Sequence, residues 1–350
     1  MDQLGELVSR YDEDSIGTRP SRFNSRRRSK DRPDYSEAQI GQVVAVDRGR
    51  ITCVYPENEL HDKQTSVTAV KARELGRKGV VIGDRVRLVG DLSGQADTLA
   101  RLVEILDRET VLMRTADDSD PVERVIVANA DQMAIVVAAA NPEPRTGLID
   151  RALVAAFEAG LDPLLVITKV DIGDPAVIVD HYASINLPHI LVNQKTGSGV
   201  EAVREAISER NTVFIGHSGV GKSTLVNALV PDALRATGDV NDVTGRGKHT
   251  STSAVALPLP HDSGWVIDTP GIRSFGLAHV NPDDIIGSFP ELEDGATECP
   301  RACTHVSATG DAPPDCALDA WVAAGNAGEA GISRLDSLRR LLVALQTPSS

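Results

Sequence analysis

Aromatic residues are scarce. They make up 3% of the 350 residues, too few for a platform on which single-stranded bases stack. Positive charge is outweighed. A formal net charge of -14 argues against a chain that coats nucleic acid over its whole surface, though not against local basic patches. No uninterrupted apolar run reaches the roughly 18 residues of a membrane span. The opening MDQLGELVSR carries charges where a secretory leader has its apolar region. A cytoplasmic protein with no membrane partner is expected. Cysteine is rare as well. There are four, and Cys299, Cys303 and Cys316 crowd into one segment. In a reducing compartment that points to metal more than to disulfides.

What is present suffices for ordinary globular cores, with 41% hydrophobic residues over a length that predicts two or three domains. Residues 1–36 read as a basic disordered arm, with Arg26, Arg27, Arg28 and Lys30, either a solvated tail or an RNA contact. Residues 37–114 carry short β-rich runs that fit a small barrel. Within them GVVIGDRVRLVG places Gly83 and Asp84 between two apolar runs, the pattern of a hairpin. Lys71, Arg73, Arg77, Lys78, Arg85 and Arg87 make this part basic. Residues 115–278 alternate strands and helices, which predicts a mainly parallel sheet covered on both faces. Residues 279–350 read as helical, broken by the Cys-rich loop. A last helix is expected from about Gly331 to Ala344, bearing Arg334, Arg339 and Arg340.

The strand Thr212–Ile215 runs into GHSGVGKST, Gly216–Thr224, which fits the phosphate-binding pattern G-x-x-x-x-G-K-[ST]. Gly216, Gly219, Val220 and Gly221 would turn backbone N–H groups toward phosphate oxygens at the start of a helix. Lys222 would neutralise the β- and γ-phosphates, Ser223 would ligate Mg²⁺, and Thr224 continues the helix. The loop alone does not separate ATP from GTP. DTPG, Asp268–Gly271, follows the apolar run WVI. Asp268 is placed to hold Mg²⁺ through water and Gly271 to offer its N–H to the γ-phosphate. TKVD, Thr168–Asp171, resembles the N-K-x-D guanine motif. Asp171 would accept the ring N–H and amine of guanine, donors that adenine lacks there. Lys169 would lie along the base. Thr168 stands where Asn is usual and offers fewer hydrogen bonds. The plainer reading of TKVD is a helix N-cap. NQKTG, Asn193–Gly197, sits where GTPases read the guanine carbonyl through a backbone N–H, with Asn193-Gln194 in place of Ser-Ala.

The guanine motifs precede the phosphate loop and DTPG comes last, a circular permutation of the usual order. VIGDRV, LDRETVLMR, NADQ, IDRALVAA, TKVD, GHSGVGKSTLVNAL, GKHTSTS, DTPGIRSFG and the Cys/His loop together resemble the RsgA (YjeQ) family of small-subunit-dependent, circularly permuted GTPases. The resemblance spans about Gly41–Trp321. It implies an N-terminal OB-fold β-barrel, a permuted α/β P-loop GTPase domain and a C-terminal helical zinc-binding domain. It also implies late maturation of the small ribosomal subunit, which with its rRNA is the partner and whose binding stimulates hydrolysis.

Ile272 follows the DTPG glycine, where many GTPases keep a water-orienting Gln, so the attacking water is held elsewhere. GKHTSTS, Gly247–Ser253, resembles the family's switch segment and makes His249 the candidate for that task. The plainer role for His249 is an RNA or phosphate contact. Thr250, with Thr252 next, is the candidate for closing on Mg²⁺ and the γ-phosphate. Lys248 replaces the family's Arg. Cys299, Cys303, His305 and Cys316 offer three thiolates and an imidazole, a common tetrahedral Zn²⁺ set, closed and therefore structural. The first two are one residue closer than in the family, and the His305–Cys316 loop is longer. Competing functions are a P-loop ATPase or kinase, a GTP-dependent protein-binding switch without a ribosomal role, and a permuted GTPase of the large subunit. A monomer with bound GTP or GDP is expected.

Overall fold

The computed structural model describes residues 34–47, 49–55, 64–76, 79–115, 123–231, 254–260, 263–269, 280, 282–307, 313 and 315–346. The chain divides into Met1–Glu37 and Ala38–Ser350, and the elements below lie in the second unit.

Five strands make a closed barrel: β1 (Gln39–Asp47), β2 (Arg50–Tyr55), β3 (Thr65–Lys71), β4 (Arg85–Gly90) and β5 (Ala100–Ile105). Neighbours run β1-β2-β3-β5-β4, and β4 returns to β1. The β3–β5 pairing is parallel and the others are antiparallel. Closure removes the unpaired edges that would otherwise recruit other strands. Alternate residues point inward, so Val43, Ile51, Cys53, Val67, Val86 and Leu102 meet in one core. Burial pushes the Cys53 thiol up to about 12, which leaves it an inert core group.

The expected hairpin at Gly83-Asp84 is not formed. Ile82 instead bridges Val127 in parallel, and the run after the turn, β4, pairs with β1 and β5. Gly83 has φ +85°, and a Cβ there would lie 1.8 Å from Ala128 O. The turn seats Asp84, fully buried, against Arg108, whose Nε and Nη2 reach its two carboxylate oxygens at 2.7 and 3.0 Å. That bidentate pair is the physical content of GDR and LDR in the two barrel motifs. Asn129 of NADQ donates to Gly83 O at 2.9 Å and accepts Glu109 N–H at 2.8 Å, tying the turn to the chain beyond it.

A separate antiparallel pair, β6 (Val111–Thr115) and β7 (Glu123–Ala128), follows. Then come β8 (Gln132–Ala138), α1 (Thr146–Glu158), β9 (Asp162–Thr168), α2 (Ala176–Tyr182), β10 (His189–Val192), α3 (Val200–Ala206), β11 (Arg210–Ile215), α4 (Lys222–Leu229), β12 (Val255–Pro258) and β13 (Gly264–Asp268). The sheet order is β10-β9-β8-β11-β13-β12, parallel except for β12. Every residue of β8 is buried, as expected for a strand covered on both faces. One bridge, Ala45↔Val255, joins β12 to β1, so barrel and parallel sheet are continuous.

Among the described residues four helices follow: α5 (Pro282–Ile286), α6 (Pro290–Ala296), α7 (Leu318–Ala323) and α8 (Gly331–Gln346). The partner of α8 is α1 of the parallel-sheet layer. Arg151 Nη1 donates to Ala344 O at 2.8 Å, and Arg340 Nε reaches Asp150 Oδ1 at 3.3 Å. Tyr182 OH donates to the same carboxylate at 2.9 Å. Burial pushes the Asp150 carboxyl up, opposed by the Arg340 charge. Leu338, Leu341 and Leu342 are buried with Ile149 and Leu153 in one core. Cutting Leu153 back to Ala would cost about 2–5 kcal/mol. Among the described residues no helix is long and apolar enough to cross a membrane.

Candidate functional site

Parallel pairing in register brings the strand ends together. Thr168 lies beside Ala138 and Val192, and Asp268 beside Phe214. The loops that leave these ends share one edge of the sheet, where open α/β sheets bind ligands.

The loop after β11 shows why glycine stands where it does. A Cβ on Gly216 would lie 2.5 Å from Val136 O. Gly219 and Gly221 have φ of +84° and +95°, in the region closed to most side chains. Gly221 then opens α4, whose first-turn N–H groups have no partner within the helix. Val220 is buried, while Ser223 and Thr224 are exposed beside the loop. Lys222 Nζ pairs with Asp268. Thr269, the next residue, is buried and donates to Phe214 O at 3.0 Å, fixing the exit of β13 to the strand that feeds the loop.

The TKVD segment leaves β9. Thr168 is fully buried. Its hydroxyl lies 3.1 Å from Val137 O and 2.5 Å from Val220 O. Lys169 adopts φ +57°, and its Nζ donates to Asn141 O and, at 2.7 Å, to Gly219 O. Asp171 faces Lys195 at 2.5 Å. The Lys195 hydrogen bond holds the Asp171 carboxyl below its ordinary range. None of this is the geometry of a plain N-cap. The helix that follows starts at Ala176, whose N–H is held by Asp174 Oδ1 at 3.0 Å and not by a TKVD side chain.

NQKTG leaves β10 as a tight loop. Asn193 Oδ1 accepts the Lys195 and Thr196 N–H groups at 3.0 and 3.3 Å. The Gly197 N–H meets Asn193 O at 2.9 Å. Gln194 turns away from this loop and donates through Nε2 to Gly221 O at 2.7 Å. Thr168, Lys169, Asp171, Asn193, Gln194, the 216–224 loop and Asp268 are thus brought together. His249, Thr250, Thr252, Lys248, Gly271 and Ile272 lie outside the described residues.

The second cluster is built between α6 and α7. The Sγ atoms of Cys299, Cys303 and Cys316 and a ring nitrogen of His305 all lie within 4.8 Å of one another. His305 Nδ1 is 3.5 Å from Cys299 Sγ and 3.8 Å from Cys316 Sγ. These spacings match donors sharing one tetrahedral ion with bonds of about 2.0–2.3 Å. The short Cys299–Cys303 spacing is absorbed by a turn, with Cys303 N–H on Pro300 O and Ala302 at φ +62°. Backbone N–H groups of His305 and Ala317 point at Cys303 and Cys299 sulfurs at 3.4 and 3.2 Å, the donors a thiolate needs. Sequence reading missed Arg339. From α8 its Nε donates to His305 O at 3.1 Å, its two Nη groups hold Asp319 at 2.8 and 2.6 Å, and Nη2 lies 3.9 Å from Cys316 Sγ. Only its presence on a helix near the Cys loop was legible.

Known proteins bear on this arrangement. Residues 105–278 match the family described as RsgA GTPase. The small ribosomal subunit biogenesis GTPase RsgA of Gemmatimonas aurantiaca is 34% identical over 288 residues, 81% of this chain and 91% of that protein. The protein of the same name from Pseudomonas fluorescens is 38% identical over 323 residues, 90% of this chain and 88% of its own. The crystal structure of YjeQ from Thermotoga maritima aligns with a TM-score of 0.60 and 26% identity, covering 88% of this chain and 98% of that one. YloQ, a circularly permuted GTPase, shares the fold with a TM-score of 0.60 at 19% identity, over 93% of this chain and all of its own. With its permuted motif order, its closed barrel and these relatives, the chain belongs to the RsgA GTPase family and is a GTP-hydrolysing enzyme.

Proposed function

We propose that this chain hydrolyses GTP during late maturation of the small ribosomal subunit, and that binding to the subunit stimulates it. The observation that carries the chemistry is the meeting of the TKVD segment with the 216–224 loop at one sheet edge, through Thr168 and Lys169. The ribosomal part rests on its similarity, over most of the chain, to small ribosomal subunit biogenesis GTPases.

Asp171 reads guanine by accepting its two N–H donors, releasing Lys195 as the base enters. Lys169 lies along the base. Thr168 serves from beneath, through Val220 O. Asn193 shapes the loop whose backbone N–H at Gln194 meets the guanine carbonyl. Gly216, Gly219, Val220, Gly221 and Thr224 cradle the phosphates. Mg²⁺ would be held by the hydroxyls of Ser223 and Thr250 and, through water, by Asp268. With nucleotide bound, Lys222 would turn from Asp268 to the β- and γ-phosphates, leaving the Asp268 carboxylate for the water shell of Mg²⁺. Gly271 offers its N–H to the γ-phosphate and His249 positions the attacking water.

Cys299, Cys303, His305 and Cys316 would hold one structural Zn²⁺, which would add local folding energy and no chemistry at the phosphate. The domains follow as 37–114, an OB-fold that contacts rRNA, 115–278 for the GTPase and 279–350 for the zinc-binding helices, after a basic arm at 1–36. The protein acts as a cytoplasmic monomer.

Cosedimentation with purified subunits tests the ribosomal assignment. Retention by small but not large subunits, stronger with a non-hydrolysable GTP analogue than with GDP and reduced by salt, is the expected result. Equal retention by both subunits, or by neither, contradicts it and favours a switch that binds a protein partner.

A further inference from the structure

Three consecutive carbonyls of the phosphate loop are each held by a residue from a guanine loop. Lys169 Nζ reaches Gly219 O at 2.7 Å, Thr168 Oγ1 reaches Val220 O at 2.5 Å, and Gln194 Nε2 reaches Gly221 O at 2.7 Å. The first two come from TKVD. The third comes from a position where GTPases ordinarily carry alanine, whose side chain cannot reach or donate. Gln194 also packs against the loop, since a Cβ on Gly221 would lie 2.5 Å from its Oε1.

A trans peptide points its C=O and the following N–H in opposite directions. A carbonyl fixed on one side of the loop therefore aims the next N–H to the other. Gly221 O also accepts the Leu225 N–H at 3.0 Å, so the Gln194 tie is a second restraint on the same carbonyl and reinforces the direction of the Lys222 N–H, the first of α4. That N–H belongs to the positive end of the helix, where phosphate binds. With Gly221 at φ +95° giving the backbone freedom, the first-turn bond of α4 and the Gln194 bond together hold this peptide. A restraint at that peptide has a specific target.

We propose that Gln194 is a positioning residue that fixes the Gly221–Lys222 peptide, and so joins the base-reading loop to the binding of the phosphates beyond the first. The inference rests on the guanine-nucleotide reading of this site. Gln194 does not discriminate between bases. Its contribution sets in with the second phosphate, because a nucleoside monophosphate lacks the group that meets the Lys222 N–H.

The test is a set of affinities for GMP, GDP, GTP and ATP, read by displacement of a fluorescent guanine nucleotide, in the full-length protein and its Gln194→Ala and Gln194→Met variants. Met keeps the length and packing without a donor. In both variants GDP and GTP affinity is expected to fall about five- to tenfold, the effect of one lost hydrogen bond. GMP should change by less than about twofold and the GTP-over-ATP ratio should stay. Equal losses for GMP and GTP would place Gln194 on the base and overturn the proposal. So would an unchanged Met variant, which would make the contact one of packing, or unchanged affinities throughout. Failure of the unsubstituted protein to prefer GTP to ATP would instead strike at the guanine reading of the site.

Discussion

The nucleotide loops and the Cys/His loop are both built from strand or helix ends, and they are organised in opposite ways. At the nucleotide end, separate loops are tied to one another by neutral or singly charged groups on backbone carbonyls: Thr168, Lys169 and Gln194 on the 219–221 carbonyls and Thr269 on Phe214 O. Its shape is set by the sheet beneath it. At the other end, four donors crowd within 4.8 Å, and three of them become anionic when they take up a metal ion. Two left-handed residues, Ala302 and His305, bend the chain to make this possible. One cation, Arg339, brings α8 against the cluster. The first site is arranged by the fold, whereas the second, with zinc bound as proposed, would itself help arrange the fold.

The sharpest way to break this comparison is to remove metal. A chelator that strips the Cys/His loop should abolish hydrogen-exchange protection in α8 and at Leu318–Ala323, while β8, β9 and β11 keep theirs. Structural zinc is worth about 10 kcal/mol or more in small metal-dependent folds, so the local effect is large. A uniform loss, or no loss, would show that the two regions do not differ in this way.

Lys222→Ala should lower GTP hydrolysis about 10³-fold, the scale of removing one fixed charge from a phosphoryl-transfer site, with bound zinc per chain unchanged by metal analysis. Asp171→Ala should reduce the GTP-over-ATP affinity ratio about 100-fold, again without touching the metal. Loss of zinc in either variant would mean that the two centres are coupled more tightly than the account holds.

The smallest effect concerns acid stability at the Cys/His end. The hydrogen bonds from Arg339 hold the Asp319 carboxyl below its usual range. A depressed folded value means that its stabilisation is present above the unfolded carboxyl range, about 3.9, and is lost as pH falls through the folded value. Asp319→Asn should flatten the acid limb of the melting-temperature profile and leave the neutral plateau nearly unchanged, because half of the Asp319 side chain is in water. A neutral-pH loss of many degrees would show that the pair does more than this.

The same contrast governs what the sequence disclosed. The phosphate loop, TKVD, DTPG and the Cys/His set are contiguous or nearly so, and their chemistry is carried by residue type at fixed spacing. The strand–helix alternation was legible from β8 to β11 because buried parallel strands are apolar runs, and α8 was read within two residues of its end. Contacts distant in sequence were not legible. The pattern around Gly83-Asp84 suggested a hairpin because Asp84 finds Arg108, 24 residues on, only in three dimensions. The α8–α1 contact joins Arg340 to Asp150 across 190 residues. Thr168 looked like a weakened guanine contact, and its hydroxyl lies on the phosphate loop instead. Gln194 looked like a tolerated change beside a backbone contact, whereas its side chain has a partner of its own.

The most direct test of the account is the GTP hydrolysis rate of the purified protein alone, with small subunits and with large subunits, with ATP as control. The account predicts slow hydrolysis of GTP alone, a strong rise with small subunits only, no comparable rate with ATP, and loss of the stimulated rate in His249→Ala. Hydrolysis indifferent to small subunits, or raised equally by large ones, would contradict it.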